Sequence, residues 1–151
     1  MRHLFLLLLV FLAPLSFLQC AQEPSDAAEI AELRSDAEQG LALAQYNLGV
    51  LCRDGLGVAQ DYVEARKWFL KAAEQGRADA QHNLGILYAK GQGGAQDLLQ
   101  AYAWFNLAAA QGDAAAKENR DAIAVNLDAD SLARAQKLSD EHFKLYVEPF
   151  Q

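Results

Sequence analysis

Two consecutive stretches, residues 44–79 and 80–115, are copies of one 36-residue unit, and this repetition restricts the fold more than any single residue does. Each copy opens on Ala-Gln-x-Asn-Leu-Gly-x-Leu, runs through Gly-x-Gly and Ala-Gln-Asp, and closes on Ala-x-x-Trp-Phe-x-x-Ala-Ala-x-Gln-Gly. A fixed period of this size is the signature of a solenoid, whose units bury their apolar faces only against their neighbours. Scaffolds of this kind bind other macromolecules along their length.

Within each unit the apolar spacing is helical. Ala44, Leu48 and Leu51 follow i, i+4, i+7, as do Ala80, Leu84 and Leu87. A second helix carries Ala65, Trp68, Phe69 and Ala72, repeated as Ala101, Trp104, Phe105 and Ala108. Large rings alternating with alanines allow neighbouring helices to interlock. Gly40, Gly76 and Gly112 recur at the period, each at a helix end that calls for a left-handed residue. Gly49 and Gly85 instead interrupt a helix interior, at about 1 kcal/mol each relative to alanine. The expected reason is close approach of the partner helix, with the Trp and Phe rings lying over bare backbone. Gly94 alone falls out of register. Asp61 and Asp97 open the second helices and are expected to cap them.

The ends differ from the middle, as terminal units must present polar outer faces. Ala37-Glu38-Gln39-Gly40 matches Ala73-Glu74-Gln75-Gly76, so 28–39 reads as the closing half of a unit. After Gly112 another first helix begins but loses the Asn-Leu-Gly core. Asp128 then caps a final helix through about Lys144, with Leu132, Ala135, Leu138 and Phe143 expected to face inward. The fold class is therefore all-α, with seven helices over 26–146: a partial cap at 26–43, units at 44–79 and 80–115, and a C-terminal cap at 116–146.

Residues 1–21 stand apart. Arg2 and His3 precede an apolar run from Leu4 to Leu18, too short for a comfortable bilayer span, with small-residue cleavage at Cys20-Ala21. This reads as an export signal, with a retained anchor as the other reading. Phe17-Leu18-Gln19-Cys20 also partly resembles a lipobox, although Gln19 sits where a smaller residue is usual, so lipidation of Cys20 stays open. The expected location is the bacterial periplasm or outside the cell, as a soluble protein or held through Cys20. The remaining cysteine, Cys52, has no intrachain partner once the signal is removed, and reads as a buried filler. Losing residues 1–21 takes away Arg2 and no acid, moving the formal charge from −7 to −8. With no basic stripe, nucleic acid is not expected as a ligand.

Little in the sequence points to chemistry. His82 and His142 lie far apart, no His-x-x-x-His or Cys-x-x-Cys occurs, and threonine is absent. Ser25, Ser35, Ser131 and Ser139 are read as lying on caps or helix surfaces, and no Gly-x-Ser-x-Gly or Ser-x-x-Lys is present. Gly91-x-Gly93-Gly94 follows no strand and reads as a turn. No catalytic residue, metal site or cofactor is expected.

The residues at 44–51, Gly55-x-Gly57-Val58, Asp61, Ala65, Trp68-Phe69 and Lys71-Ala72-Ala73-Glu74-Gln75-Gly76 resemble the Sel1-like repeat, a relative of the tetratricopeptide repeat. The second unit matches as well, and 127–138 is similar to the closing helix of many exported bacterial members. Cys52 in place of an aromatic, Gly94 in place of a valine-like residue and the uncharged Leu98–Gln100 depart from the pattern. The resemblance implies a right-handed α-solenoid that acts as a non-catalytic adaptor or regulator, here of another protein or peptide of the cell envelope. It also implies that the first helix of each unit lines a concave groove. The groove positions are then Tyr46, Asn47, Val50 and Arg53, followed by His82, Asn83, Ile86 and Lys90. Asn47 and Asn83 either hold a ligand's backbone amide or tie down the neighbouring loop. The alternative function is hydrolase-like activity toward cell-wall or β-lactam-type compounds, assigned to some exported relatives, though no nucleophile with a poised base is visible. A passive, lipid-anchored structural role is a third.

Overall fold

The computed structural model describes residues 23–150, with side chains from Asp26 onward. The expected signal segment at 1–21 and the lipidation candidate Cys20 lie outside the described residues. Seven helices follow in order: α1 (Glu23–Glu38), α2 (Ala42–Asp54), α3 (Tyr62–Glu74), α4 (Ala78–Lys90), α5 (Leu98–Ala110), α6 (Ala114–Ala124) and α7 (Ala129–Tyr146). A short 3-10 turn, Glu148–Phe150, closes the described chain.

The capping chemistry is as the sequence indicates. Asp61 Oδ1 accepts from the Val63 and Glu64 amides at 2.9 and 3.0 Å, and Asp97 Oδ1 does the same for Leu99 and Gln100 at 3.0 Å each. Asp113 and Asp128 repeat the device for α6 and α7, accepting from Ala116 N at 2.9 Å and Ser131 N at 2.7 Å. Each bond satisfies amides that the first helical turn leaves without an acceptor, and is worth about 1 kcal/mol. At the other end, Gly55 and Gly91 stop α2 and α4 at φ 69° and 66°, a conformation that a Cβ disfavours.

The helices pair as α2 with α3 and α4 with α5, and each pair stacks on the next through α3 against α4 and α5 against α6. Leu48, Leu84 and Phe69 are completely buried between them, with Ala65, Ala72, Ala73 and Ala80 admitting close contact. Burial of each leucine contributes about 1.5–3 kcal/mol.

Gly49 and Gly85 explain their own repetition. A Cβ on Gly49 would sit 2.8 Å from Phe69 Cδ1, and one on Gly85 would sit 2.8 Å from Phe105 Cδ1. Of the Trp and Phe rings expected in this role, it is the phenylalanines that lie nearest both glycines. Trp68 is flanked instead by the Lys67 and Lys71 ammonium groups, 5.5 and 4.6 Å from a ring centroid, and Trp104 packs against α7. The difference is one of helix face, since adjacent Trp and Phe residues lie about 100° apart on a helix.

Gly94 is glycine for a separate reason. The Arg66 guanidinium stacks 3.6 Å above the Tyr88 ring, and the same guanidinium occupies the space a Cβ on Gly94 would need. The out-of-register glycine makes room for a cation–π contact between the two units.

A glutamine ladder fastens the units together. Gln45 Nε2 donates to Ala37 O at 3.1 Å, and Gln81 Nε2 donates to Ala73 O at 3.1 Å. Gln75 Nε2 then reaches Gln45 Oε1, and Gln111 Nε2 reaches Gln81 Oε1, both at 2.7 Å. Gln45 and Gln81 are buried, so these bonds prevent an uncompensated loss of hydration.

The last helix follows a different rule. α7 lies along α5 and reaches back to touch α3, while its contact with α6 is slight. Trp104 stacks with His142 at 4.5 Å and Tyr146 at 5.6 Å, and the Phe150 ring comes close to Gly76. The inward stripe on α7 centres on Ala135 and Ser139, both buried; Leu132, Leu138 and Phe143 are only half-buried. The reading of Ser139 as a surface residue is thereby corrected. It accepts from Asn106 Nδ2 at 2.7 Å, and Asn106 Oδ1 accepts from Arg120 Nη1 at 2.7 Å, a polar chain through α7, α5 and α6.

Candidate partner-binding face

α2, α4 and α6 hold equivalent places in successive units and share one face, along which side chains reach from unit to unit. Tyr46 on α2 is half-buried, its ring 5.8 Å from that of Phe69 and 5.3 Å from the Arg77 guanidinium. Arg53 donates from Nη1 to Asn83 Oδ1 on α4, and from Nη2 to Asp54 Oδ2 at 2.6 Å. That hydrogen bond holds the Asp54 carboxyl below its usual range.

Asn83 is occupied on both sides, since its Nδ2 also donates to Asp79 O at 2.8 Å. Its amide is engaged within the protein, by the α4 backbone and by Arg53 rather than by a neighbouring loop. Of the other sequence-selected residues, Asn47, Val50 and Ile86 are half-buried on this face, and Lys90 is exposed. Among the described residues, Lys90 enters none of the ion pairs formed by Arg53, Arg77, Lys117 and Arg120.

His82 is held between two neighbours. Its Nδ1 lies 2.7 Å from Asp113 Oδ2, and its Nε2 lies 3.2 Å from Asn119 Nδ2. The carboxylate makes Nδ1 the donor, and in the neutral imidazole that leaves Nε2 to accept from the amide. Burial acts to raise the Asp113 carboxyl, but the Ala116 amide and His82 outweigh it, leaving Asp113 below the usual carboxylate range. Such a pair orients an imidazole as general bases are oriented, yet what faces Nε2 is an amide rather than a hydroxyl or thiol.

Asn119 went unselected in the sequence, although it continues the series Asn47, Asn83, Asn119 at the 36-residue period. The loss of Leu and Gly after it hid the match. It borders an open cleft of about 350 Å3 between α4 and α6, floored by Phe105 of α5 and walled by Ile86, Leu98 and Ile123. Lys90 stands at the same cleft.

Cys52 is buried at the back of this face, and burial pushes its thiol up. A protonated, enclosed thiol is a packing group at neutral pH. Among the described residues no three His, Cys, Asp or Glu side chains gather as a metal site, and no helix is long and apolar enough to cross a membrane.

Paired helices stacked through repeated internal contacts define an α-solenoid of short helical repeats. The Sel1 repeat family matches at residues 42–76 and 78–113, two or three residues ahead of the units read from the sequence, and the chain is a Sel1 repeat protein. It is similar to the crystal structure of c5321, a protective antigen present in uropathogenic Escherichia coli strains and displaying an SLR fold. The TM-score is 0.79 at 35% identity, over 85% of this chain and 28% of that one. A Sel1 repeat protein from Oxalobacter formigenes is also similar, with a TM-score of 0.56 and 44% identity over 57% of this chain and 25% of that one. The chain thus spans about a quarter of the length of these solved relatives. No curated protein matches it.

Proposed function

We propose that the chain is a protein–protein interaction module that engages an envelope protein or peptide along the α2–α4–α6 face. The observation that carries this reading is a contrast between the two repeats. Buried positions keep their identity: Gln45 and Gln81, Leu48 and Leu84, Gly49 and Gly85. Three positions on the face change character, Tyr46 to His82, Arg53 to Ala89 and Asp54 to Lys90, while Val50 becomes the similar Ile86 and Asn47 recurs as Asn83. A frame held constant beneath a surface that varies is the arrangement recognition requires, because complementarity to one partner differs from place to place along a groove. The apolar run at 4–18 supports export and an envelope partner.

The test is capture of partners from envelope extract by the wild-type chain and by a Val50→Asp/Ile86→Asp variant, with identical far-UV circular dichroism as the control for folding. The proposal expects specific proteins to be retained by the wild type and lost by the variant. Equal capture by both would remove this face from consideration.

A further inference from the structure

The cleft beside Lys90 has a counterpart one repeat earlier, and the comparison states what belongs in it. Stepping back by 36 residues turns Phe105 into Phe69, Asn119 into Asn83, Ala89 into Arg53 and Lys90 into Asp54. In that earlier place the space is already taken. Arg53 crosses it with its guanidinium 6.0 Å from the Phe69 centroid, bonded to Asn83 and neutralised by Asp54. In the later place alanine removes the side chain, and about 350 Å3 stands open over Phe105.

We infer that this cleft receives one apolar side chain of a partner polypeptide, with an Asp or Glu adjacent to it in the partner's chain pairing with Lys90. The inference rests on the reading of this face as a protein-binding surface. A side chain is the indicated occupant because a side chain fills the equivalent space in the first repeat. It is apolar because Ile86, Leu98, Phe105 and Ile123 line the space. It carries no positive charge, because Asp54, which neutralises the guanidinium in the first repeat, has become Lys90. The same reversal asks for a carboxylate at the rim. Asn119, whose Nδ2 is committed to His82, acts toward the cleft as an acceptor for a backbone N–H of the bound segment. The cleft is open to solvent, so an internal stretch of chain can lie across it.

The experiment selects peptides from a phage-displayed library of about ten random residues on the full chain, then measures synthetic, end-blocked versions by fluorescence anisotropy. Selection should enrich Leu, Ile, Met or Phe directly beside Asp or Glu. Grafting the first repeat's plug, Ala89→Arg with Lys90→Asp, should raise the Kd of these peptides at least about tenfold, as for loss of a buried anchor together with its charge partner. The graft uses a residue pair the fold already accommodates at 53 and 54, and an unchanged circular dichroism spectrum establishes that it folds. Lys90→Gln should weaken a Glu-containing peptide but leave its Gln counterpart unaffected. Absence of any enriched peptide, enrichment of basic ones, binding only with a free C-terminal carboxylate, or equal affinity for the graft would each overturn the inference. If the graft is neutral while Val50→Asp/Ile86→Asp abolishes partner capture, the binding face stands and this account of the cleft falls.

Discussion

Phe69 and Phe105 rest directly on glycine, and that contact decides what a single methyl group does here. Alanine at position 85 gains about 1 kcal/mol of helix propensity. Its Cβ, however, would lie 2.8 Å from the buried Phe105 ring, and overpacking of this sort costs about 1–3 kcal/mol. Gly85→Ala is expected to lower stability by up to about 2 kcal/mol, read from urea denaturation, with Gly85→Ala/Phe105→Leu recovering part of the loss. Gly94→Ala is a milder case, because what must move is the far end of Arg66 rather than a buried ring. Its expected loss is the cation–π contact with Tyr88, about 0.5–2 kcal/mol, and Arg66→Met/Gly94→Ala should cost little more than Arg66→Met alone. Recurring glycines inside a helix announced a tight contact in the sequence, but not which ring made it. Trp68 and Phe69 are adjacent and equally aromatic, and only the rotation of α3 against α2 separates their roles. The single glycine outside the repeat register was legible as an exception alone, because its cause is a side chain 28 positions earlier.

The aspartate-capped helix starts were the most readable part of the sequence, since each depends on one residue and its own following amides; α2 and α4 open on Leu41 and Arg77, whose side chains make no capping bond. Asp61→Ala and Asp97→Ala should each cost about 1 kcal/mol, measured by chemical denaturation, with Asp→Asn preserving most of the stability. α7 was less readable, because its partner is not its sequence neighbour α6 but α5. Its stacking residue His142 carries a pH signature. Burial between Trp104 and Tyr146 holds the imidazole below its ordinary value of 6.5, and Nδ1 has no hydrogen-bond partner. The unfolded chain therefore takes up this proton more readily than the folded one. The stability that comes from keeping His142 neutral is full above about pH 6.5 and is lost as pH falls through the lowered folded value. His142→Phe should flatten the fall in urea midpoint between about pH 7 and pH 5. The carboxylates held low, Asp54, Asp113, Asp121 and Asp128, respond in a separate window beneath 3.8, so the two effects are distinguishable.

For the molecule as a whole, the return of α7 toward α3, with Phe150 against Gly76, links the C-terminal end to the first full repeat. Removing residues 128–151 would strip cover from Trp104, which is 2% exposed. The expected result is a broadened, less cooperative melt by tryptophan fluorescence, as linear repeat arrays give when interfaces are lost. The solenoid architecture was visible in the period alone, because repetition is a property of the string. The cleft was not, because it arises where the string departs from repetition: Ala89 and Lys90 look like ordinary drift until Arg53 is seen filling the same space. The glutamine fasteners lead to a different kind of consequence. Gln45 grips the Ala37 carbonyl as Gln81 grips the Ala73 carbonyl, so the joint in front of each full repeat carries the same hook and the same eye. A spare copy of residues 44–79 spliced in between would meet a matching hook on one side and a matching eye on the other, and would lengthen the stack by a helix pair without any new invention at the seams.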